Sequence, residues 1–448
     1  MSKLQFEPES VLSKLLDDCL TAGVSAADAR IGQSEGVSVS VRNGDMESIE
    51  REEGVSVSLR CLYGQRQAHV SGSDMSADGL RALVERCTAM AKAVPEDKYC
   101  GIAEAGALAG GNQSLDLTGD EEISADVLER DALEAEAAAL GVAGVKTVAG
   151  CGASWSRSSR WVAATNGFRA HRTGTASSLG LAAVAEKDGA MERDYDSWNV
   201  RRMTERPSAA EIGITAGTRT VARLGSKRVD TQKAAVIYDK RLSAGLLGAF
   251  LGAISGPAVA RGVSFLKDRL GADVFAPGIN IIDDPLREMG MGSRSHDGEG
   301  LPVARKNLID NGRLTEWLLN LPSARQLGME ANGFAALGFG DPPGVTTSNV
   351  YMEAGAKSPA ELMKDAGKGL LVMDMFGPSI NSNTGDYSVG VAGFWFENGE
   401  VAYPVSEVTI AGDLPSMFAR LIPASDLEFR GTRDAPSIMI PDMNLAGS

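Results

Sequence analysis

The 448-residue sequence predicts an α+β fold: an N-terminal helix and antiparallel-sheet domain followed by a hairpin-rich, mostly antiparallel β C-terminal domain. Three observations carry this. Asn43-Gly44, Asn311-Gly312 and Asn398-Gly399 each separate two strand-like segments, and Asn-Gly in that setting is the strongest short-range hairpin signal. The helical segments bring their own start and stop residues. The N-terminal order of helix, antiparallel meander and helix is that of an α+β unit rather than a βαβ crossover.

Taken in order, the first helix is expected over Glu9–Ala22, with Pro8 near its first turn, Leu12, Leu15, Leu16 and Cys19 on one face, and Gly23 as its stop. Four strand-like runs follow: the Val37, Val39, Val41 alternation, Met46–Glu52, the Val55, Val57, Leu59 alternation, and Gln67–Val70. A second helix starts at Ser76 and ends before Pro95. Residues 100–120 read as a Gly/Ala-rich connection. A helix at about 124–140 then leads into a long antiparallel region with turns at Asn166-Gly167 and Asp188-Gly189. Ser208 and Glu211 form a capping box for the next helix, which ends near Gly225.

After a polar break at Lys227–Gln232, a strand is expected at Ala234–Tyr238, then a glycine-spaced apolar stretch, Leu246–Ile254. Hairpins join 303–310 to 313–320 and 389–397 to 400–405, with one helix between them capped by Ser358, Pro359 and Glu361. The chain therefore divides into 1–120, 121–228 and 229–448.

Composition narrows the function. Lys+Arg 44 against Asp+Glu 59 gives a net charge of −15, which disfavours nucleic acid as a partner. No window approaches a membrane span or a signal-peptide core, and the five cysteines lack a CxxC pair, so a reducing, cytoplasmic setting is expected. A catalytic zinc needs three protein ligands, commonly two His one helical turn apart. The three histidines, His69, His171 and His296, are more than 100 residues apart. His296 has Asp297 and Glu299 beside it, but on a loop. Gly32-Gln-Ser34-Glu-Gly36 matches GxSxG, yet a strand follows instead of the sharp strand-to-helix turn that exposes a nucleophile. Cys151, between Gly150 and Gly152, reads as a strand residue. Neither a Walker A sequence nor a placed GxGxxG is present. Gly338–Gly344 is a proline-stiffened loop. Gly377–Asp386, with Asn381, Asn383, Thr384 and Asp386, is dense in hydrogen-bonding groups suited to a peptide backbone or to each other.

Several segments together resemble the TldD/PmbA family. They are Ser295–Pro302, the strands around Asn311-Gly312, Asn381–Gly390, and the Phe394–Val401 hairpin, together with the N-terminal Asn43-Gly44 hairpin. The family's TldD type carries a helical His-Glu-x-x-x-His and a later Gly-Thr-Cys that supply a zinc site. At the matching positions this chain has Gly248, Ala249 and Ala253, and Gly431-Thr432-Arg433. The likeness is therefore to the PmbA (TldE) type. It implies a subunit that holds no cofactor itself, pairs with a TldD-like zinc peptidase subunit, and helps enclose unfolded peptides, with a homodimer possible when alone. His296, Asp297, Asn381, Asn383, Thr384 and Asp386 are the expected peptide-contacting residues. Two other readings stay open at this stage: an independent hydrolase using His296 with Asp297 or Glu299, and a non-enzymatic regulator that binds a protein such as gyrase.

Overall fold

The computed structural model describes residues 6–110, 115–340 and 342–447. Parts of two expected loops, residues 111–114 and Asp341, lie outside the described residues. The fold is α+β, in two halves that face each other.

The first half is built on one six-stranded antiparallel sheet. Its strands are β1 (Ala26–Arg42), β2 (Asp45–Tyr63), β3 (Arg66–Gly72), β4 (Val145–Ala164), β5 (Arg169–Lys187) and β6 (Ala190–Val200), in the spatial order β3-β2-β1-β4-β5-β6. Side chains alternate between faces along a strand. The odd-numbered residues of β1, β4 and β5, such as Val37, Val39, Trp155, Leu179 and Leu181, face four helices. These are α1 (Pro8–Thr21), α2 (Ala77–Ala93), α3 (Ala125–Leu140) and α4 (Ala209–Ala222). Leu12, Leu15, Leu16 and Cys19 of α1 meet Leu83, Val84 and Cys87 of α2 over Ile31, Leu59 and Cys61. Burying each such Leu or Ile contributes about 1.5–3 kcal/mol. Ser76 caps α2 by accepting from the Gly79 N–H, and Ser208 with Glu211 forms the capping box of α4.

One expectation changes here. Met46–Glu52 and Val55–Leu59 belong to one strand, β2, because Gly54 keeps register opposite Ser34 and no turn intervenes. Residues 1–120 and 121–228 also share this sheet, through β1–β4 pairing from Asp28 opposite Ala164 to Val41 opposite Cys151. The Asn43-Gly44 turn is gripped across that divide: the buried Glu136 of α3 accepts from both turn amides, at 2.9 and 2.8 Å.

The second half begins with β7 (Gln232–Tyr238), α5 (Lys240–Ala253) and α6 (Gly256–Ala260). A small sheet follows from β8 (Ile281–Asp283), β9 (Lys306–Asp310), β10 (Arg313–Leu314) and later β13 (Val350–Met352). Between them lie α7 (Leu321–Leu327) and the two-residue pair β11 (Ala335–Ala336) and β12 (Gly344–Val345). The chain ends with α8 (Pro359–Ala366), β14 (Lys368–Ile380), β15 (Asp386–Glu397), β16 (Glu400–Asp413), α9 (Leu414–Arg420), β17 (Ile422–Pro423), β18 (Arg433–Asp434) and β19 (Ile438–Ala446). β19 pairs with both β7 and β16, so β16, β15, β14, β7 and β19 close on themselves. Pairing is antiparallel except β7–β14 and β13–β18. Ser358 and Glu361 form the capping box of α8, as the sequence implies.

The Asn311-Gly312 hairpin is shorter than 303–310 with 313–320. After Leu314 the chain leaves the sheet, because the Leu318 N–H donates to Ile254 O and Leu318 O accepts from the Gly256 N–H, at 2.9 and 2.8 Å. No described helix is long and apolar enough to cross a membrane.

Arg201, just beyond β6 and 6% exposed, joins the halves. Its guanidinium donates to Leu117 O and Thr175 O in the first half, and to Gly290 O and Met291 O in the second, at 2.9–3.3 Å. Charged donors to buried carbonyls are worth about 1.5–3 kcal/mol each, and their loss leaves acceptors unsatisfied. Arg201→Met should therefore destabilise the chain by about 3 kcal/mol or more. Arg202→Met, which breaks only the exposed Arg202–Asp116 pair at 3.7 Å, should cost less than about 1 kcal/mol. Thermal unfolding of parent and both variants checks the contrast.

Candidate functional site

The even-numbered face of the first sheet carries small and polar residues. Cross-strand partners are Ser34 with Ser158, Gly36 with Ser156, Ser154 with Ser178 and Ser158 with Gly174. No helix of the first half covers this face. It forms the floor of a cleft whose opposite wall is made by residues 291–298, 335–339 and 430–435 of the second half. Three cavities of about 330, 450 and 570 Å³ lie along it. They adjoin one another: Arg160, Arg172 and Met291 border the first two and Arg433 borders the last two.

Phe339 reaches across from the far wall. Its ring lies so close to Gly32 that a Cβ there would stand 2.7 Å away. The ring also carries the Arg160 guanidinium at 5.1 Å. The glycine of the GxSxG match is thus a packing residue inside β1, and no nucleophile elbow exists.

The central cavity is ringed by Arg30, Arg160, Arg172, Arg294 and Arg433. Arg30 is neutralised by Asp28 at 2.9 Å, and Asp28 also accepts from Arg60 at 2.5 Å. Burial alone would raise the Asp28 carboxyl, but Arg60 and Arg30 together hold it below its usual range. Burial draws the Arg30 guanidinium down to about 10. Burial and then Arg172 lower Arg160; burial, Arg294 and Arg201 lower Arg172. Arg294 donates to Gly333 O and Thr346 O.

His296 and Asp297 line this same cavity, but they form no catalytic dyad. The His296 Nδ1 lies 2.8 Å from Asp297 O, the main-chain carbonyl, and the ring meets Phe168 edge to face. Burial pushes the imidazole below its ordinary value. The Asp297 carboxylate accepts from three backbone amides, Glu299, Leu301 and Ala335, at 2.9–3.1 Å. Glu299 accepts from the Leu321 amide at 2.8 Å. Both carboxylates therefore hold loops in place and neither orients the imidazole.

Of the four positions where the family resemblance puts three zinc ligands and a general base, two, Gly248 and Arg433, meet beside the cleft. A Cβ on Gly248 of α5 would clash with the Arg433 Nη1, so the end of the guanidinium occupies the space over the glycine. Ala249 packs partly buried against the C-terminal core, and Ala253 is inside it. Glycine and alanine offer no donor atom, and arginine brings a positive charge. Among the described residues, no group of three His, Cys, Asp or Glu side chains converges as a metal site would require. The residues present do not fit a zinc ion.

Asn381, Asn383, Thr384 and Asp386 stand elsewhere, at the exposed tip of the β14–β15 hairpin, and border none of the three cavities. Their polar groups satisfy one another: the Asn383 N–H donates to the Asn381 side chain, Thr384 Oγ1 to Asp386, and the Asn381 N–H to Asp386 O. The cleft arginines escaped the sequence reading because they are scattered along the chain. Their opposition depends on the loop length: the β4–β5 turn takes three residues, 165–167, which sets Arg160 opposite Arg172, where a two-residue Asn166-Gly167 turn would have set it opposite Thr173.

Three family models match the chain: PmbA/TldA metallopeptidase domain 1 at residues 27–91, the central domain at 118–224 and the C-terminal domain at 231–447. Metalloprotease PmbA of Escherichia coli O157:H7 is 32% identical over 442 residues, covering 98% of this chain and 96% of that protein. The Metalloprotease PmbA homolog of Haemophilus influenzae is 30% identical over 431 residues, covering 96% and 94%. Among solved structures, TldE from Thermococcus kodakarensis superposes with a TM-score of 0.87 at 20% identity, over 98% of this chain and 100% of that one. A Bacteroides thetaiotaomicron protein, described as a candidate modulator of DNA gyrase, gives 0.92 at 23% identity over the full length of both chains. At those identities the structural likeness is one of fold.

Burial pushes the Glu299 carboxyl up from 4.5 to about 7. Folding thus raises this pKa, the folded state holds the extra proton between about pH 4.5 and 7, and stability falls as pH rises through that window. Glu299→Gln keeps an acceptor for the Leu321 amide and removes the titration. The variant's stability relative to parent should improve from pH 5 to pH 8 by on the order of 2 kcal/mol, read as a widening difference in melting temperature. A difference that stays flat with pH would contradict the assignment.

Proposed function

The chain belongs to the PmbA/TldA metallopeptidase family, and on that footing we propose that it is the non-catalytic, peptide-holding subunit of a two-subunit metallopeptidase whose zinc sits in a TldD-type partner. One observation carries the reading: the Arg433 guanidinium rests on Gly248, a cation where a metal ligand would otherwise stand. Two positive centres at such range repel strongly once water is excluded.

The cleft suits an extended peptide in other respects. Its floor is small and polar, so main chain can approach closely. β6 pairs with β5 only over Ser177–Lys187, leaving residues 169–176 of β5 projecting past it. The Thr175 N–H and C=O face outward there, bonded to Leu117 O and Arg201. Thr173 and His171 present the same side of the backbone two and four residues earlier. Thr175 is thus already engaged, and it is the stretch of this edge before it, at His171 and Thr173, that invites strand addition through main-chain bonds that tolerate varied sequence. The five free cysteines, four of them buried, are in keeping with a reducing compartment such as the cytoplasm.

The decisive test assays peptide hydrolysis by this chain, by a TldD-type subunit, and by their mixture, with zinc analysis of each. Hydrolysis is expected only when the TldD-type subunit is present, and more of it in the mixture. The purified chain alone should carry substoichiometric zinc. Full activity or stoichiometric zinc in this chain alone would refute the proposal.

A further inference from the structure

Arg160 of β4 and Arg172 of β5 are direct cross-strand partners. Like charges directly opposite one another on a sheet destabilise it. The same sheet shows the ordinary arrangement nearby, where Glu35 stands opposite Arg157 and the two form an ion pair at 3.2 Å. Arg160 and Arg172 have no such relief. Among the described residues, neither forms a salt bridge, and Arg160 is held only by stacking on Phe339.

The carboxylates around them are otherwise engaged. Asp28 is held by Arg30 and Arg60. Asp297 serves three backbone amides, and Asp283 accepts from the Ser348 amide at 2.7 Å. Arg294 adds a third positive charge to the same cavity, with its buried Nε unpartnered. Both members of the pair border two adjoining cavities, and Arg172, though packed among the cleft's other charges, still reaches solvent.

We propose that Arg160 and Arg172 form an oxyanion site, taking a carboxylate or phosphate group between their two guanidinium forks. Planar guanidinium groups match both oxyanions bidentately, and such charge-assisted bonds are the strong ones. The bound group supplies the missing counter-charge. Its source is either the carboxylate of a peptide lying in the cleft, which rests on the function proposed above, or a free small anion, which does not.

Calorimetric titration and thermal unfolding of the full chain test this, with inorganic phosphate, succinate, a short peptide with a free carboxyl terminus, and the same peptide amidated. Parent, Arg172→Gln, Arg160→Gln and the control Arg157→Gln are compared. At least one anion should raise the parent's melting temperature. Affinity should fall about tenfold or more in Arg172→Gln and Arg160→Gln, and remain in Arg157→Gln. Without ligand at low salt, Arg172→Gln should melt no lower than the parent, because a repulsion has been removed. Preference for the free-carboxyl peptide over the amide assigns the site to peptide. Phosphate or succinate binding without that preference assigns it to a free anion, and the oxyanion site then stands without the peptide. The proposal is overturned if no anion stabilises the parent, or if the anion effect is equal in all four proteins.

Discussion

The cleft depends on polar ties that set the separation of its two walls, and the buried Arg201 is the first of them. The first sheet spends one face on its four helices, so only the other is left to meet the second half. If that face packed tightly, no cleft would exist. Arg201 instead ties the β5 edge and Leu117 to the Gly290-Met291 turn through carbonyl acceptors. Ion pairs Arg241–Asp194 and Arg430–Asp196, both at 2.9 Å, repeat the connection at the other end of the cleft. Polar ties of this kind fix orientation as well as distance, which a greasy contact between the same surfaces would not.

The electrostatic design runs against the bulk composition. A chain of net charge −15 gathers five arginines around one cavity. Among the described residues only one of the five, Arg30, forms an ion pair with a carboxylate of the chain. Composition reports the average field outside the molecule, while the cleft is governed by which few residues the strand register brings face to face. The acidic total therefore says little about what the cleft prefers.

Local features of the fold were legible in the sequence. The turns at Asn43, Asp188, Asn311 and Asn398 all take positive φ, which is why those residues stand there. The helix caps at Ser76, Ser208 and Ser358 are equally local. What sequence could not reveal is non-local: the closure of the C-terminal strands by β19, the parallel pairing of β7 with β14, and the merging of β1 with β4. Each depends on segments far apart in the chain, for which no local pattern speaks. The site divides in the same way. Gly248 and Arg433 were singled out together and do touch, and His296 and Asp297 do reach the cleft. The Asn381–Asp386 loop looked rich in binding groups because its short polar residues are those a self-satisfied turn needs.

The β1–β4 pairing has a consequence for how the chain comes to be made. Asp28 waits for Ala164, 136 residues later (164 − 28). During synthesis the β1–β2–β3 meander emerges first, with the whole hydrogen-bonding edge of a 17-residue strand unmatched. Such an edge is an open template for another chain, and late non-local closure prolongs its exposure. The nascent protein therefore passes through a stage at which its own central strand is its main aggregation hazard, and that stage ends only when the Asn166-Gly167 hairpin arrives to cover it.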